Sequence, residues 1–400
     1  MTAIVSILKC SAYQLELLME CIDRSVDHLG GWNKIVSQGH HVVIKPNLIR
    51  AKTPVQGVDT HPLVVRAIIK LLEKHVGCRI SVGDSSGERF QDIEEIWRVS
   101  GMVEAVAGTS AKLVPFDTAV EVVVPNGRIF SRLPIAKIVW DADVLISVPK
   151  LKTHDVTVLS GAVKNLMGVI PGLFKFRFHK EAPQPHEFGE ALADILSTVT
   201  PDVTIVDAVV SMEGDGPIEG NLRSTGLIVA GKDTVAVDTV LAAIIGLKPK
   251  HVPSIVACAK RGLGASDMAG IEIRGASLVA VKVKDFRPPA NSIACRLSPA
   301  LVKRLGKMIM VRPAVRACIC SGCAECAKNC PVQAITMHAP TRYPMVDQHK
   351  CILCLCCYEL CPCDAMYPRK NWMAKLYFSS AKQRIISFLS ACLKPKVHSA

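Results

Sequence analysis

Short apolar runs rich in Val and Ile alternate with longer segments of helical periodicity through the first 285 residues. The predicted strands are 3–8, 41–45, 79–83, 144–148, 203–206 and 227–230, and the predicted helices are 12–29, 63–74, 187–196 and 234–245. Continuous apolar strands between amphipathic helices are typical of a mostly parallel sheet that helices cover on both faces. The pattern therefore predicts an α/β fold with a doubly wound sheet, in one lobe or in two.

Polar residues follow four of the predicted strands at the point where each strand ends. The four segments are Lys45-Pro46-Asn47-Leu48, Asp84-Ser85-Ser86-Gly87, 149–154, and Asp207 with the loop 213–217. In parallel sheets, ligands bind outside the carboxyl ends of the strands, whereas each segment alone is equally consistent with a helix cap or a turn. Together they predict a site for an anion or a metal ion. The expected cofactor-binding residues are Lys45, Asn47, Asp84, Ser85, Ser86, Gly87 and Lys152.

The segment 150–179 is expected to be a long loop with little secondary structure, and loops of this length are usually functional. Lysines near a desolvated pocket can lower their pKa or bind a cofactor covalently, and histidines can act as a base or as a metal ligand. We therefore predict that His154, Lys164 and His179 are catalytic. The alternative is a solvated basic loop in which both histidines only cap or pack.

Eleven of the seventeen cysteines fall between Cys318 and Cys363. They contain two runs with the spacing C-x2-C-x2-C-x3-C-P, in which three cysteines bind one [4Fe–4S] cluster and the fourth binds the other. The predicted ligands of the first cluster are Cys320, Cys323, Cys326 and Cys361, and those of the second are Cys351, Cys354, Cys357 and Cys330. Cys318, Cys356 and Cys363 lie nearby but outside this spacing.

Zinc and disulfides are the alternatives for these cysteines. Zinc sites do not explain a Cys-Pro pair at the end of each run, and disulfides are rare in chains without an export signal. The block from about 318 to 368 resembles the bacterial two-cluster ferredoxin module. The resemblance implies a small α+β domain with two [4Fe–4S] clusters that transfers electrons.

The net charge of +13 is confined to two segments. Residues 287–316 and 369–400 each carry seven Lys or Arg and no acid, and the rest of the chain has 34 basic against 35 acidic residues. No aromatic-interleaved basic sheet or recognition helix accompanies the charge, so nucleic-acid binding is not expected. The basic segments suit an acidic redox partner protein, or peripheral contact with an anionic membrane surface.

Four regions follow from these patterns. They are an α/β domain at 1–285, a basic linker at 286–316, a two-cluster ferredoxin module at 317–368 and a basic, amphipathic tail at 369–400. No charge-free stretch reaches the ~18 residues of a spanning helix, and no secretory signal is visible. Because exposed [4Fe–4S] clusters are sensitive to oxygen, we expect a location in the reducing cytoplasm.

The strand-end segments, together with Lys164-Asn165-Leu166-Met167-Gly168 and two cluster motifs, resemble a known family across nearly the whole chain. It is the family labelled domain of unknown function 362, whose members are described as uncharacterised iron–sulfur centre proteins. The resemblance implies an iron–sulfur protein and carries no established reaction.

A more local likeness concerns the nickel-pincer lactate racemases. His154, the turn 161–164, Pro171-Gly172 and His179 are similar to the core of that family, in which the matching lysine tethers the pyridinium cofactor and the two histidines serve as nickel ligand or acid–base groups. Asp59-Thr60-His61-Pro62 is similar to the family's acidic-Thr-Arg-Pro turn, with His61 in place of the arginine. The phosphate contact that the arginine makes in that family is therefore not carried over to His61. The likeness implies the position of a pocket, with a further unknown cofactor in the α/β domain.

Two classes of function agree with these features. The first is an iron–sulfur oxidoreductase, in which two clusters relay electrons to a small anionic substrate or cofactor in the α/β domain. The second is a non-catalytic electron carrier or assembly protein that docks a redox partner.

Overall fold

The computed structural model describes residues 2–85, 93–172, 174–289, 292, 311–339 and 342–369. The chain divides into two compact units, Met1–Cys295 and Arg296–Ala400. We refer to them as the α/β unit and the cysteine-rich unit. The predicted tail lies outside the described residues except for Arg369, and so does most of the predicted linker.

The α/β unit is built on a mixed, mostly parallel sheet of ten strands within the described residues. The strands of the unit are β1 (Ala3–Lys9), β2 (His41–Pro46), β3 (Arg79–Val82), β4 (Lys112–Leu113), β5 (Ala119–Val123), β6 (Arg132–Ala136), β7 (Val144–Val148), β8 (Lys150–His154), β9 (Val158–Ser160), β10 (Val203–Glu213), β11 (Asn221–Gly231) and β12 (Ile271–Gly275). The main path runs β12-β1-β11-β10-β7-β2-β3-β4, and β5 pairs separately with β6. Strands β10, β7, β2, β3 and β4 are parallel, while β11 is antiparallel to both of its neighbours.

Helices cover both faces of this sheet. They are α1 (Leu15–His28), α2 (Pro62–His75), α3 (Ile93–Val99), α4 (Met102–Val106), α5 (Lys137–Trp140), α6 (Ala162–Asn165), α7 (Phe174–Glu181), α8 (Pro185–Thr198), α9 (Thr234–Ile244), α10 (Pro253–Lys260) and α11 (Leu278–Val281). One apolar core contains residues of α1 and α2, and the other contains residues of α8, α9 and α10. In β2, Val42 and Ile44 belong to the first core, whereas Val43 belongs to the second. The strand therefore lies between two helical layers, and the predicted α/β class is confirmed.

The segment 150–179 differs from the expected loop. Its first part is the hairpin of β8 and β9, in which His154 pairs with Val158, and its later part includes α6 and α7. All five residues of β8 are buried, although two lysines and a histidine are among them. The prediction of a long loop was wrong because such residues are uncommon in strands, and here a buried polar environment accommodates them.

The cysteine-rich unit is a small α+β fold. Its elements are β13 (Arg312–Val315), α12 (Glu325–Lys328), β14 (Ile335–Met337), β15 (Pro344–Val346), α13 (Cys356–Glu359) and β16 (Met366–Arg369). Strands β13 and β16 form one antiparallel pair, and β14 and β15 form another. Strand β13 occupies part of the segment that the sequence assigned to the basic linker.

Among the described residues, every helix is too short or too polar to cross a membrane.

Candidate functional site

A buried ion pair between Lys45 and Asp84 lies at the carboxyl ends of β2 and β3. The Lys45 Nζ is 2.9 Å from Asp84 Oδ1, and it also donates to the Pro46 carbonyl at 2.9 Å and to Asn165 Oδ1 at 3.2 Å. The other Asp84 oxygen accepts from the Leu48 backbone N–H at 2.8 Å. Burial lowers the pKa of Lys45, and the Asp84 carboxylate opposes that shift. These contacts therefore hold Lys45 and Asp84 as a fixed ion pair at the carboxyl ends of the two strands.

Neighbouring side chains extend this pair into a group that we call the cation cluster after its three lysines. Its members are Lys152, Lys164 and Lys175, together with His154 and His179. Burial lowers the pKa of His154 well below its usual value, and the charges of Lys164, His179 and Lys152 lower it further. Burial also lowers the pKa of Lys175 to about 7; Asp84 opposes this shift, whereas Lys45 and Lys164 add to it. The pKa of His179 falls to about 3 through burial and the charge of Lys164.

Backbone carbonyls hold several of these side chains in place. Lys152 Nζ donates to the Val58 carbonyl at 2.6 Å, which also accepts from Asn47 Nδ2 at 3.1 Å, and Lys175 donates to the Ser85 carbonyl. The structure thus brings most of the predicted residues together. They are Lys45, Asn47, Asp84, Ser85, Lys152, His154, Lys164 and His179. Ser86 and Gly87 lie outside the described residues.

His154 is fixed in one neutral tautomer. Its Nδ1 accepts from the Val156 backbone N–H at 3.1 Å, so the ring proton of the neutral form is on Nε2. The turn that carries this contact ends at Val158, which has a φ of 68° although it is β-branched. Such residues strongly disfavour the left-handed region, and strain of this kind clusters at functional sites. His154 is therefore suited to donate a hydrogen bond from Nε2 to an anionic ligand.

Asp238 in α9 positions α6, the helix that carries Lys164 and Asn165. Its carboxylate accepts from the backbone N–H groups of Ala162 at 2.6 Å and Val163 at 3.0 Å. A Cβ atom on Gly161 would overlap Asp238 Oδ1, so glycine is needed for this close approach. Burial raises the pKa of Asp238 from 3.8 to about 7, against the effect of the two N–H groups.

This pKa shift predicts a pH-dependent stability. Because the folded protein binds the Asp238 proton more tightly than the unfolded chain, this group favours folding below pH ~4, and its contribution is lost as the pH rises through about 7. Relative to an Asp238→Asn variant, we expect wild type to lose up to about 1.4 kcal/mol of unfolding free energy per pH unit in that window. Urea unfolding of both proteins at several pH values measures the difference, and parallel pH profiles would contradict it.

A second buried network was not singled out by the sequence. Lys150 Nζ lies 2.9 Å from Asp207 Oδ2 and 2.7 Å from the Tyr13 hydroxyl, which donates to Asp207 Oδ1 at 2.8 Å. The His61 ring stacks on Tyr13 with 3.7 Å between centroids, and burial lowers the pKa of His61 to about 4. Lys150 and Asp207 belong to strand-end segments that the sequence had marked. Tyr13 gave no such signal, because it is 194 residues from Asp207 in the chain.

The cysteines of the second unit surround two cavities. The first is lined by Cys320, Cys323, Cys326 and Cys361. The second is lined by Cys330, Cys351, Cys354 and Cys357. All cysteines in the described part of the chain are free thiols. Each cavity therefore takes three thiols from one run and the fourth from the other run, which is the grouping expected for two cubane clusters.

The backbone repeats itself every 31 residues around these cavities. Three matched pairs of residues adopt the left-handed conformation: Gly322 and Leu353, Ala324 and Leu355, and Gln333 and Asp364. The backbone N–H of Ala334 donates to Cys330 Sγ at 3.1 Å, and the matching N–H of Ala365 donates to Cys361 Sγ at 3.2 Å. Leu353 and Leu355 thus adopt a backbone conformation that leucine normally avoids. These turns direct N–H groups and thiols towards the cavities.

Each cavity also has a fifth thiol outside the predicted spacing. Cys363 lines the first cavity, and its Sγ lies 3.8 Å from Cys361 Sγ. Cys356 lines the second cavity and is buried. Cys318 is exposed and lines neither of these two cavities.

An α/β unit with a buried cation cluster, followed in the chain by a thiol-rich α+β unit, defines an iron–sulfur protein of two parts. The family model named domain of unknown function (DUF362) matches residues 42–243, and the chain belongs to that family. A thylakoid-associated protein of Synechocystis sp. is 32% identical over 266 residues, which cover 65% of this chain and 79% of that protein. An uncharacterised polyferredoxin-like protein of Methanocaldococcus jannaschii is 30% identical over 60 residues, which cover 12% of this chain and 36% of that protein.

Two solved structures show a partial similarity to this chain. One is a Thermotoga maritima protein, with a TM-score of 0.36, 14% identity and coverage of 51% of this chain and 52% of that chain. The other is the lactate racemase apoprotein of Thermoanaerobacterium thermosaccharolyticum, with a TM-score of 0.33, 14% identity and coverage of 52% and 51%. This chain thus spans about half the length of each.

Proposed function

We propose that the cysteine-rich unit binds two [4Fe–4S] clusters and that the protein is an iron–sulfur oxidoreductase. The observation that carries the proposal is the pair of cavities, each of which is lined by the four thiols of the ferredoxin spacing, with the fourth thiol exchanged between runs. The two clusters would supply one-electron transfer. Backbone N–H groups donate to the sulfurs of Cys330, Cys351 and Cys361. These hydrogen bonds stabilise the thiolate form, which is the form that binds iron.

The cation cluster is the proposed binding site for a small anionic substrate or an additional cofactor. Lys164 is partly exposed, whereas Lys45, Lys152 and Lys175 are buried, so Lys164 is placed to meet the ligand first. His154 would donate to the ligand from Nε2, and Asn47, Asp84 and Ser85 would hold the surrounding side chains in position. His179, whose pKa burial lowers to about 3, would stay neutral and form a hydrogen bond with the ligand.

The first test is the metal content of the full chain purified without oxygen. We expect about eight irons and about eight sulfides per chain. Nickel and zinc are measured in the same samples, because nickel would indicate racemase-like chemistry in the α/β unit. Zinc in place of iron after careful reconstitution would contradict the redox proposal.

The second test concerns Lys164. We expect the Lys164→Ala variant of the iron-loaded protein to bind inorganic phosphate or pyruvate at least tenfold more weakly than wild type in calorimetric titrations. The loss follows from removing the cation that meets the ligand first, and a charge-assisted contact is worth about 1.5–3 kcal/mol. Lys180→Ala, which removes an exposed cation at the end of α7, is the matched control and should bind as wild type does. Equal affinities of wild type and Lys164→Ala would exclude this role.

A second candidate function is a non-catalytic carrier that docks a redox partner. It is favoured by the exposure of Cys323 at the first cavity, since an exposed ligand offers a route for electrons to a partner protein. The basic segments would bind an acidic partner, or hold the protein at an anionic membrane surface on the cytoplasmic side. The Synechocystis relative is described as thylakoid-associated. Salt-sensitive recovery of an acidic redox protein, lost on truncation after Pro368, would favour this function over catalysis.

A further inference from the structure

The first cavity contains one more thiol than a four-iron cluster needs. Cys363 lines this cavity beside the four predicted ligands, and its Sγ is 3.8 Å from Cys361 Sγ and 3.8 Å from Ser321 Oγ. The 31-residue repeat places Val332 at the matching position in the first run. The thiol of Cys363 is therefore not part of the shared cluster motif. It occurs beside Cys361 but not beside Cys330, the matching ligand of the first run.

We propose that Cys363 is an exchangeable fourth ligand of the first cluster, alternating with Cys361. The proposal rests on the proposed binding of two [4Fe–4S] clusters. In the exchange, the bond between iron and Cys361 Sγ breaks and a bond between iron and Cys363 Sγ forms. The proton of the Cys363 thiol passes to the departing Cys361 thiolate, and no electrons are gained or lost. The short distance between the two sulfurs allows either to occupy the same corner after a small backbone adjustment.

The two ligation states differ in hydrogen bonding. Cys361 Sγ accepts from the backbone N–H groups of Ala365 at 3.2 Å and Met366 at 3.4 Å. These bonds stabilise a thiolate at Cys361. Cys363 lies 3.8 Å from Ser321 Oγ, and the backbone of Ser321 and of Ala365 also stabilises its thiolate. The donors around the ligating sulfur therefore differ between the two states, and we expect the reduction potential of the first cluster to differ as well.

The test compares the iron content of four full-length proteins purified without oxygen. Wild type and Cys363→Ala are expected to hold about eight irons per chain. Cys361→Ala should also hold about eight irons, with a changed electron paramagnetic resonance spectrum after reduction, because Cys363 replaces the lost ligand. The double variant Cys361→Ala/Cys363→Ala should hold about four. Loss of four irons in the single Cys361→Ala variant, or eight irons in the double variant, would overturn the proposal.

A transplant of the extra thiol tests the same idea without altering Cys361. Cys330→Ala/Cys356→Ala leaves three thiols at the second cavity and should hold about four irons per chain. Adding Val332→Cys, which recreates the arrangement of Cys363, should restore about eight. No gain of iron would contradict the exchange even if the Cys361 variants do not fold. Wild type with clearly fewer than eight irons would instead reject the proposed function.

Discussion

Replacing Lys45 with Met is expected to lower the free energy of unfolding of the α/β unit by about 3–5 kcal/mol. The Asp84 carboxylate would remain buried at 4% side-chain exposure without its partner, and the Asn165 oxygen would lose a donor. Urea unfolding followed by tryptophan fluorescence measures the change, because Trp32, Trp97 and Trp140 lie in this unit and only one further tryptophan exists.

Two controls separate the buried pair from a general effect of losing a lysine. Lys137→Met removes the partner of Asp141 in a pair whose side chains are 55% and 49% exposed, and it should cost less than about 1 kcal/mol. The double variant Lys45→Met/Asp84→Asn should recover part of the loss, because no unpaired charge stays buried. A Lys45→Met variant as stable as Lys137→Met would show that the pair does not hold the strand ends.

The second large effect is expected for Gly168→Ala. A Cβ atom on Gly168 would lie 2.5 Å from Lys45 Nζ and closer still to Asp84 Oδ1, so the ion pair has to separate or the backbone has to move. The Gly168 carbonyl also accepts from the Ser85 N–H at 3.1 Å, which couples any movement to the adjacent strand end. We expect a loss of about 1–3 kcal/mol from overpacking alone, with weakened anion binding and an unchanged iron content.

Gly270→Ala is the matched control for this substitution. Both glycines lie in short 3-10 helical turns, Leu166–Val169 and Met268–Gly270, but a Cβ on Gly270 would meet no atom within 4 Å. Its stability should therefore stay within about 0.5 kcal/mol of wild type. Equal stabilities for the two variants would show that the space beside Lys45 and Asp84 is not restrictive.

The positions of the site residues followed from one rule applied to the sequence. Lys45, Asp84 and Lys152 follow or extend strands, and parallel strands end at a common edge, so their proximity was predictable. The same rule did not reveal how the charges are paired. Asn165, which links Lys45 to Ser147 through its amide, comes from α6 and has no periodic signal of its own.

Two other features depend on contacts that a sequence pattern does not encode. Strand β8 consists of Lys-Leu-Lys-Thr-His, a composition unusual for a strand, and it is buried only because carbonyls and carboxylates surround it. The left-handed backbone at Leu353 and Leu355 is likewise invisible in the residue types, because leucine rarely adopts it. The cysteine grouping was predictable, in contrast, because the spacing itself limits which thiols can share a cavity.

Because each cavity takes its fourth thiol from the other run, neither set of thiols is complete until both runs have been translated. The first cavity needs Cys361, which is translated 35 residues after Cys326, and the second needs Cys330 together with the later run. No complete set of the predicted ligands exists until residue 357 has been made, and the set of the first run waits for residue 361. Under the proposed function, both runs must therefore emerge and meet before either cavity binds iron, and a chain interrupted between the runs is expected to retain neither site.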